Sequence, residues 1–158
     1  MYRWYGSATV CYALISDASW NHEPFGIQDP PSTSPDREKS ALLYSALSRS
    51  RWITRGWTLQ ELLAPDDLEF FGMDWNCMGT KESLADALSS ITGIDSAALR
   101  GKSLNLYSID TKMSWARGRR TTRVEDQAYC LMGLFDVNMA LLLWRRLESF
   151  PASARGNH

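Results

Sequence analysis

Histidine and cysteine are scarce in this chain of 158 residues, which holds two histidines and three cysteines. His22 and His158 stand far apart, and Cys11, Cys77 and Cys130 form no Cys-x-x-Cys pair. A zinc site, a disulfide framework and a histidine-based catalytic triad therefore lack their residues. We expect no metal, and we expect three buried free thiols in a reducing compartment.

The chain also lacks an excess of charge and a long apolar run. Its 17 basic and 18 acidic residues give a net charge of −1, which predicts no general affinity for nucleic acid. No apolar run is long enough to span a bilayer and no signal peptide is present, so we expect a cytoplasmic protein. Hydrophobic residues make up 44% and charged residues 22%, a profile typical of one soluble domain.

Tryptophan, in contrast, is abundant, and the richest stretch is Arg51–Pro65. It carries Trp52, Trp57 and a single carboxylate, Glu61, among apolar residues. Thr58–Glu61 fits a capping box, in which the threonine hydroxyl and the glutamate carboxylate satisfy free amides at a helix start. If the helix begins earlier, Trp57 and Glu61 lie one turn apart on one face.

A carboxylate beside an indole is a candidate catalytic group, and Glu61 is the residue that the sequence favours, with Trp57 in support. The alternative is structural. Glu61 then only stabilises the helix start through capping and the helix dipole, and the tryptophans belong to the core.

The order of the predicted elements indicates an α/β layered domain with a mostly helical C-terminal half. The apolar runs Ala8–Ser16 and Leu68–Phe71 predict strands, the first covered on both faces as in a parallel sheet. Loops are expected at Ser19–Lys39 and Gly72–Gly79. Helical spacing and cap signals predict helices at Ser40–Arg49, Thr80–Ile91, Asp95–Leu99, Ser108–Arg117 and Thr122–Phe135, the last with a second capping box at Thr122–Glu125.

A basic cluster lies between residues 100 and 123, where Asp110 is the one acidic residue. Such a cluster can bind phosphate, including a dinucleotide pyrophosphate. It can equally be a solvated face, or pair with Glu125 and Asp126. Its members are Arg100, Lys102, Lys112, Arg117, Arg119, Arg120 and Arg123.

Three segments resemble the fungal heterokaryon incompatibility (HET) domain. They are Arg51–Pro65, Cys11–Asp17 and Thr121–Met139. The resemblance implies a module of fungal self/non-self recognition that triggers programmed cell death. It also implies self-association or receptor-type partner domains.

A second resemblance links Ser50–Leu62 to the Ser-x-Trp-Cys-x-x-Glu-Leu motif of TIR domains. Trp57 takes the tryptophan position, Thr58 replaces the cysteine, and Glu61 matches the glutamate. This implies a TIR-like, flavodoxin-like parallel sheet and NAD as a substrate, with no established cofactor. A carboxylate near the ribose would stabilise the oxocarbenium-like state that forms when nicotinamide leaves.

Compared with these families, residues 1–144 are predicted to be a partial HET domain without its first strands and helices. Residues 145–158 are predicted to be a divergent, disordered tail. An NAD glycohydrolase is therefore expected of the full-length domain and not of this fragment alone. The alternatives are a non-enzymatic, self-associating adaptor and a non-functional truncated gene product.

Overall fold

A computed structural model describes residues 2–18 and 35–135, and its centre is a mixed sheet of three strands. The strands are β1 (Cys11–Ile15), β2 (Leu68–Gly72) and β3 (Cys77–Thr80), in the order β1-β2-β3. β1 runs parallel to β2, and β3 runs antiparallel to β2 with an irregularity between Phe70 and Phe71. The predicted α/β class is confirmed.

Helices make up most of the remaining described chain, and after β3 the described part has only helices, turns and one isolated bridge. Two 3-10 turns, Leu104–Leu106 and Gly133–Phe135, accompany them. Within residues 2–18 and 35–135, none of the helices has the length and apolar character needed to cross a bilayer. The α-helices are α1 (Tyr2–Gly6), α2 (Pro35–Arg49), α3 (Arg51–Thr54), α4 (Thr58–Leu63), α5 (Ala85–Thr92), α6 (Ser96–Leu99), α7 (Ile109–Ala116) and α8 (Val124–Met132).

The hydrophobic core contains one face of the sheet, helix α4 and the buried sides of α5 and α6. Five of the six residues of α4 are buried, and its Leu59 and Leu62 have no exposed surface. The inward side chains of the sheet include Ile15 and Phe70, and Phe70 packs edge-on against Trp52 at 5.4 Å between ring centroids. Because each buried side chain of this size contributes about 1.5–3 kcal/mol, this layer holds α4 firmly in place.

The outer face of β1 is exposed, so the prediction of a strand covered on both faces is wrong for the described residues. Tyr12 is 64% exposed and Leu14 is 39% exposed. Tyr12 contacts Phe71 of β2 at 5.7 Å between ring centroids, so the outer face carries an aromatic pair. An apolar sequence alone did not reveal that only one face is covered.

Strand β3 lies where a loop was predicted, at the end of Gly72–Gly79. Trp75 adopts a φ of 60°, and this left-handed residue turns the chain back onto β2. Thr80 is consequently the last residue of β3 and not a helix cap, and α5 begins only at Ala85. The Thr80 hydroxyl does accept a hydrogen bond from the Ser83 amide at 3.2 Å, as a cap would, but this bond closes a turn that precedes the helix.

Other helix starts show which cap signals were correct. Asp95 caps α6 as predicted, because its carboxylate accepts from the Ala97 amide at 2.7 Å. The capping box at Thr122–Glu125 is wrong: α8 begins at Val124 and no side chain caps it. Helix α2 begins at Pro35, inside the predicted loop, since proline suits the first helical position. The rest of that loop and the predicted tail lie outside the described residues.

The three cysteines are free thiols with different exposure. Cys130 is buried as predicted, Cys11 is half-buried, and Cys77 is exposed at the start of β3. The prediction of burial is therefore wrong for Cys77, because its side chain falls on the open side of a short strand that the sequence did not reveal.

Candidate functional site

The tryptophan-rich stretch forms two short helices and not one continuous helix. Helix α3 ends at Thr54 and α4 begins at Thr58, and we call the bend between them, residues 55–57, the elbow. Arg55 of the elbow forms an isolated bridge with Arg120. The Gly56 amide donates to the Arg120 carbonyl at 2.8 Å, and the Arg120 amide donates to the Thr54 carbonyl at 2.7 Å. A side chain at Gly56 would overlap Thr121, so glycine permits this close approach.

Thr58 supports the elbow through tertiary contacts, and the predicted capping box is not formed. No side chain caps α4. The Thr58 hydroxyl donates its hydrogen to two carbonyl oxygens that share it, those of Trp52 at 2.6 Å and Arg55 at 2.7 Å. It also accepts from Arg119 Nη1 at 2.9 Å. These contacts use the hydroxyl that the capping box would need.

Glu61, the predicted catalytic residue, is half-buried on the first turn of α4 and lies against α1 and β1. Its carboxylate accepts a hydrogen bond from the Tyr5 hydroxyl at 3.3 Å. Burial, and then the charge of Glu61, raise the pKa of Tyr5 and of the Cys11 thiol. Glu61 therefore does not tie down its own helix start, and it does not line either of the two cavities beside the elbow.

Trp57, the predicted supporting residue, lines a cavity of about 330 Å³. The exposed Arg55 and Arg120 lie in the same cavity wall, together with Asp126. Trp57 and Glu61 are one turn apart as predicted, since the Glu61 amide lies 3.3 Å from the Trp57 carbonyl. Their side chains nevertheless have different surroundings, an open cavity for the indole and the α1 contact for the carboxylate.

Arg119 occupies the wall of a second cavity, of about 500 Å³, between α7 and α8. The residue is only 8% exposed. Its Nε donates to the Trp115 carbonyl at 3.2 Å, and Nη1 donates to the Arg55 carbonyl at 3.2 Å as well as to Thr58. Nη2 is buried and has no hydrogen-bond partner.

The surroundings of Arg119 make its charge costly. Burial lowers the pKa of its guanidinium from 12.5 to about 10, and the nearby Cys130 and Glu61 act in the opposite direction. No ion pair joins Arg119 to a carboxylate among the described residues. The hydrogen bonds of this buried cation all go to neutral oxygens, and Glu61 favours its charge without contacting it.

The remaining basic residues do not form one patch. Lys112 is buried and its Nζ donates to the Leu134 carbonyl at 3.4 Å. Arg100 pairs with Asp86 at 3.0 Å. Within the described ranges, no ion pair joins the cluster to the two acids of α8 that the sequence offered as partners. The other members, Lys102, Arg117, Arg120 and Arg123, are exposed.

Sequence reasoning missed Gln60, which ties α4 to α8. The residue is 1% exposed, and its Nε2 donates to the carbonyls of Tyr129 at 3.0 Å and Cys130 at 2.7 Å. Its position after Leu59 in a largely apolar helix was the available signal, because a buried amide there needs polar partners. No cluster of three metal-binding side chains occurs in the part of the chain that the structure describes.

The described part is thus an α/β domain with a mixed sheet and two arginine-lined cavities beside a tryptophan elbow. No family model matches the chain, and no solved structure matches it significantly. Over 142 residues the chain is 38% identical to vegetative incompatibility protein HET-E-1 of Podospora anserina. The match covers 90% of this chain and spans 10% of the length of that relative. The chain is therefore related to a fungal incompatibility protein, as the HET resemblance predicted.

Proposed function

We propose that this chain is an effector module of fungal heterokaryon incompatibility that triggers cell death after incompatible cells fuse. The observation that carries the proposal is the 38% identity over 90% of the chain with a vegetative incompatibility protein. Because the match spans only 10% of the relative, the proposed role concerns this segment and not the whole of such a protein.

For the mechanism, we propose that the intact domain cleaves NAD, with Glu61 as the catalytic carboxylate and Trp57 as a stacking residue. The indole lines a cavity of about 330 Å³, within the lower range of ligand sites, and two guanidinium groups beside it suit a pyrophosphate. Glu61 lies one turn away. Its contact with Tyr5 is long at 3.3 Å, so releasing the carboxylate toward a ribose would cost about 1 kcal/mol or less.

Nicotinamide release from NAD by the full-length protein tests this mechanism. Glu61→Gln keeps the shape of the side chain and removes its charge, so we expect release to fall by about 100-fold or more. Glu69→Gln on β2 is the matched control, since Glu69 is also half-buried and lies outside both cavities. If Glu61→Gln releases nicotinamide at the same rate as Glu69→Gln, the mechanism is wrong.

A non-enzymatic adaptor that self-associates is the second candidate, and the outer face of the sheet favours it. Trp75 is 67% exposed and lies 6.2 Å from Phe71, which in turn contacts Tyr12. Exposed aromatic groups that lie together often mark a protein interface. A second copy of this chain is the partner that such an adaptor requires.

Inducible expression in a fungal host separates the two candidates. Catalysis predicts that Glu61→Gln abolishes cell death and that Tyr12→Ser with Trp75→Ser leaves it intact. A self-associating adaptor predicts that Glu61→Gln leaves cell death intact and that Tyr12→Ser with Trp75→Ser abolishes it. A purified chain that is unfolded by circular dichroism would instead support the third alternative, a non-functional truncated product.

A further inference from the structure

Arg119 holds a positive charge inside the fold, and it forms no ion pair with any carboxylate that the structure describes. It is 8% exposed, its Nη2 has no partner, and neutral oxygens accept its other hydrogen bonds. A buried ion without a counter-ion is costly, and an anion that binds next to it recovers part of that cost. The arrangement is therefore one that an anionic ligand would stabilise.

The cavity that Arg119 lines has the size and composition for such a ligand. Its volume of about 500 Å³ falls within the range of small-molecule sites. Arg117 lies at its exposed rim, Gln127 adds an amide, and Asp110 is the single carboxylate in the wall. Met113 and Leu131 supply apolar surface.

We propose that the cavity between α7 and α8 binds a small phosphate-bearing molecule, with Arg119 as a positive charge in its inner wall and Arg117 as the donor at its rim. Phosphate fits better than a carboxylate because both guanidinium charges attract its larger negative charge, while its oxygens can accept from Arg117 and from neighbouring hydroxyl and amide groups at once. The competing explanation is that Arg119 only braces the elbow through Thr58 and the Arg55 carbonyl.

This site does not rest on the proposed NAD cleavage. Glu61 does not line it, and the Trp57 cavity is a separate space that shares with it only Gly56 and Thr121. The two proposals can therefore fail independently. Because Glu61 is a negative charge near Arg119, Glu61→Gln is expected not to weaken pyrophosphate binding, whatever its effect on nicotinamide release.

Calorimetric titration of the folded chain with inorganic pyrophosphate, at constant ionic strength, tests the proposal. Arg119 itself supports the fold, so the test uses variants elsewhere in the wall. Arg117→Gln removes the rim charge, and Met113→Trp fills the cavity from a position that is 47% exposed. Arg123→Gln is the matched control, because Arg123 is exposed and belongs to the same basic cluster but does not line the cavity.

We expect Arg117→Gln to weaken pyrophosphate binding about three- to fivefold, the effect of one partly exposed charge. We expect Met113→Trp to weaken it at least about tenfold, and Arg123→Gln to change it by less than about twofold. The proposal is overturned if pyrophosphate does not bind, or if acetate binds as tightly as pyrophosphate. It is also overturned if Met113→Trp leaves the affinity for pyrophosphate unchanged, or if Arg123→Gln lowers that affinity as much as Arg117→Gln does.

Discussion

Replacing Thr58 by valine tests whether its hydroxyl braces the elbow. The side chain is 3% exposed, and valine matches its shape, so the change removes the hydroxyl and little else. The variant loses the bond from Arg119 Nη1 at 2.9 Å and the donor that the Trp52 and Arg55 carbonyls share. A bond to a charged group is worth about 1.5–3 kcal/mol and a neutral one about 1 kcal/mol, so we expect a loss of roughly 2–4 kcal/mol.

Urea unfolding followed by tryptophan fluorescence measures this loss. For a chain of this size the midpoint should fall by roughly 1–2 M with an unchanged slope. Thr54→Val is the matched control. Its hydroxyl donates to the Arg51 carbonyl at 3.0 Å on the exposed side of α3, so we expect a change below about 0.5 kcal/mol. If Thr58→Val and Thr54→Val unfold at the same urea concentration, the Thr58 hydroxyl does not stabilise the elbow.

Three further predictions concern other parts of the fold. Gly133→Ala should destabilise the protein by about 1–3 kcal/mol, because the added carbon would overlap Tyr2; an unchanged melting temperature would contradict the close packing. Burial raises the pKa of Tyr2 from 10.0 to about 12, so its contribution to stability is complete below pH 10 and is lost as the pH rises toward 12. The melting temperature should fall less steeply over that window in Tyr2→Phe, and equal slopes would refute the assignment. The exposed Cys77 should react with a thiol reagent in the native state, while the buried Cys130 stays protected until unfolding. Mass spectrometry of the labelled peptides measures this order, and labelling of Cys130 before Cys77 would contradict the prediction.

The sequence predicted those parts of the fold that depend on neighbouring residues. The strands β1 and β2, the parallel pairing and the Asp95 cap all follow from short patterns. Strand β3 did not, because Cys77–Thr80 is short, contains a glycine and follows a turn at Trp75. Pairing with β2 stabilises it, and a local pattern does not contain that information.

The candidate site was predicted only in part, for the same physical reason. The Thr58 capping box failed because its hydroxyl contacts Arg119, which is far away in the sequence. Among seven basic residues in one segment, nothing local distinguished the buried Arg119 from its exposed neighbours. Trp57 does line a cavity, whereas the assignment of Glu61 as the catalytic residue stays a prediction.

Exchange of the matching segment tests the proposed role most directly. The segment of the Podospora anserina relative that aligns with this chain over 142 residues would be replaced by the corresponding residues of this chain. We predict that the hybrid protein still produces vegetative incompatibility when incompatible strains fuse. A hybrid that accumulates to the level of the parent protein, yet allows fused cells to grow normally, would contradict the proposal.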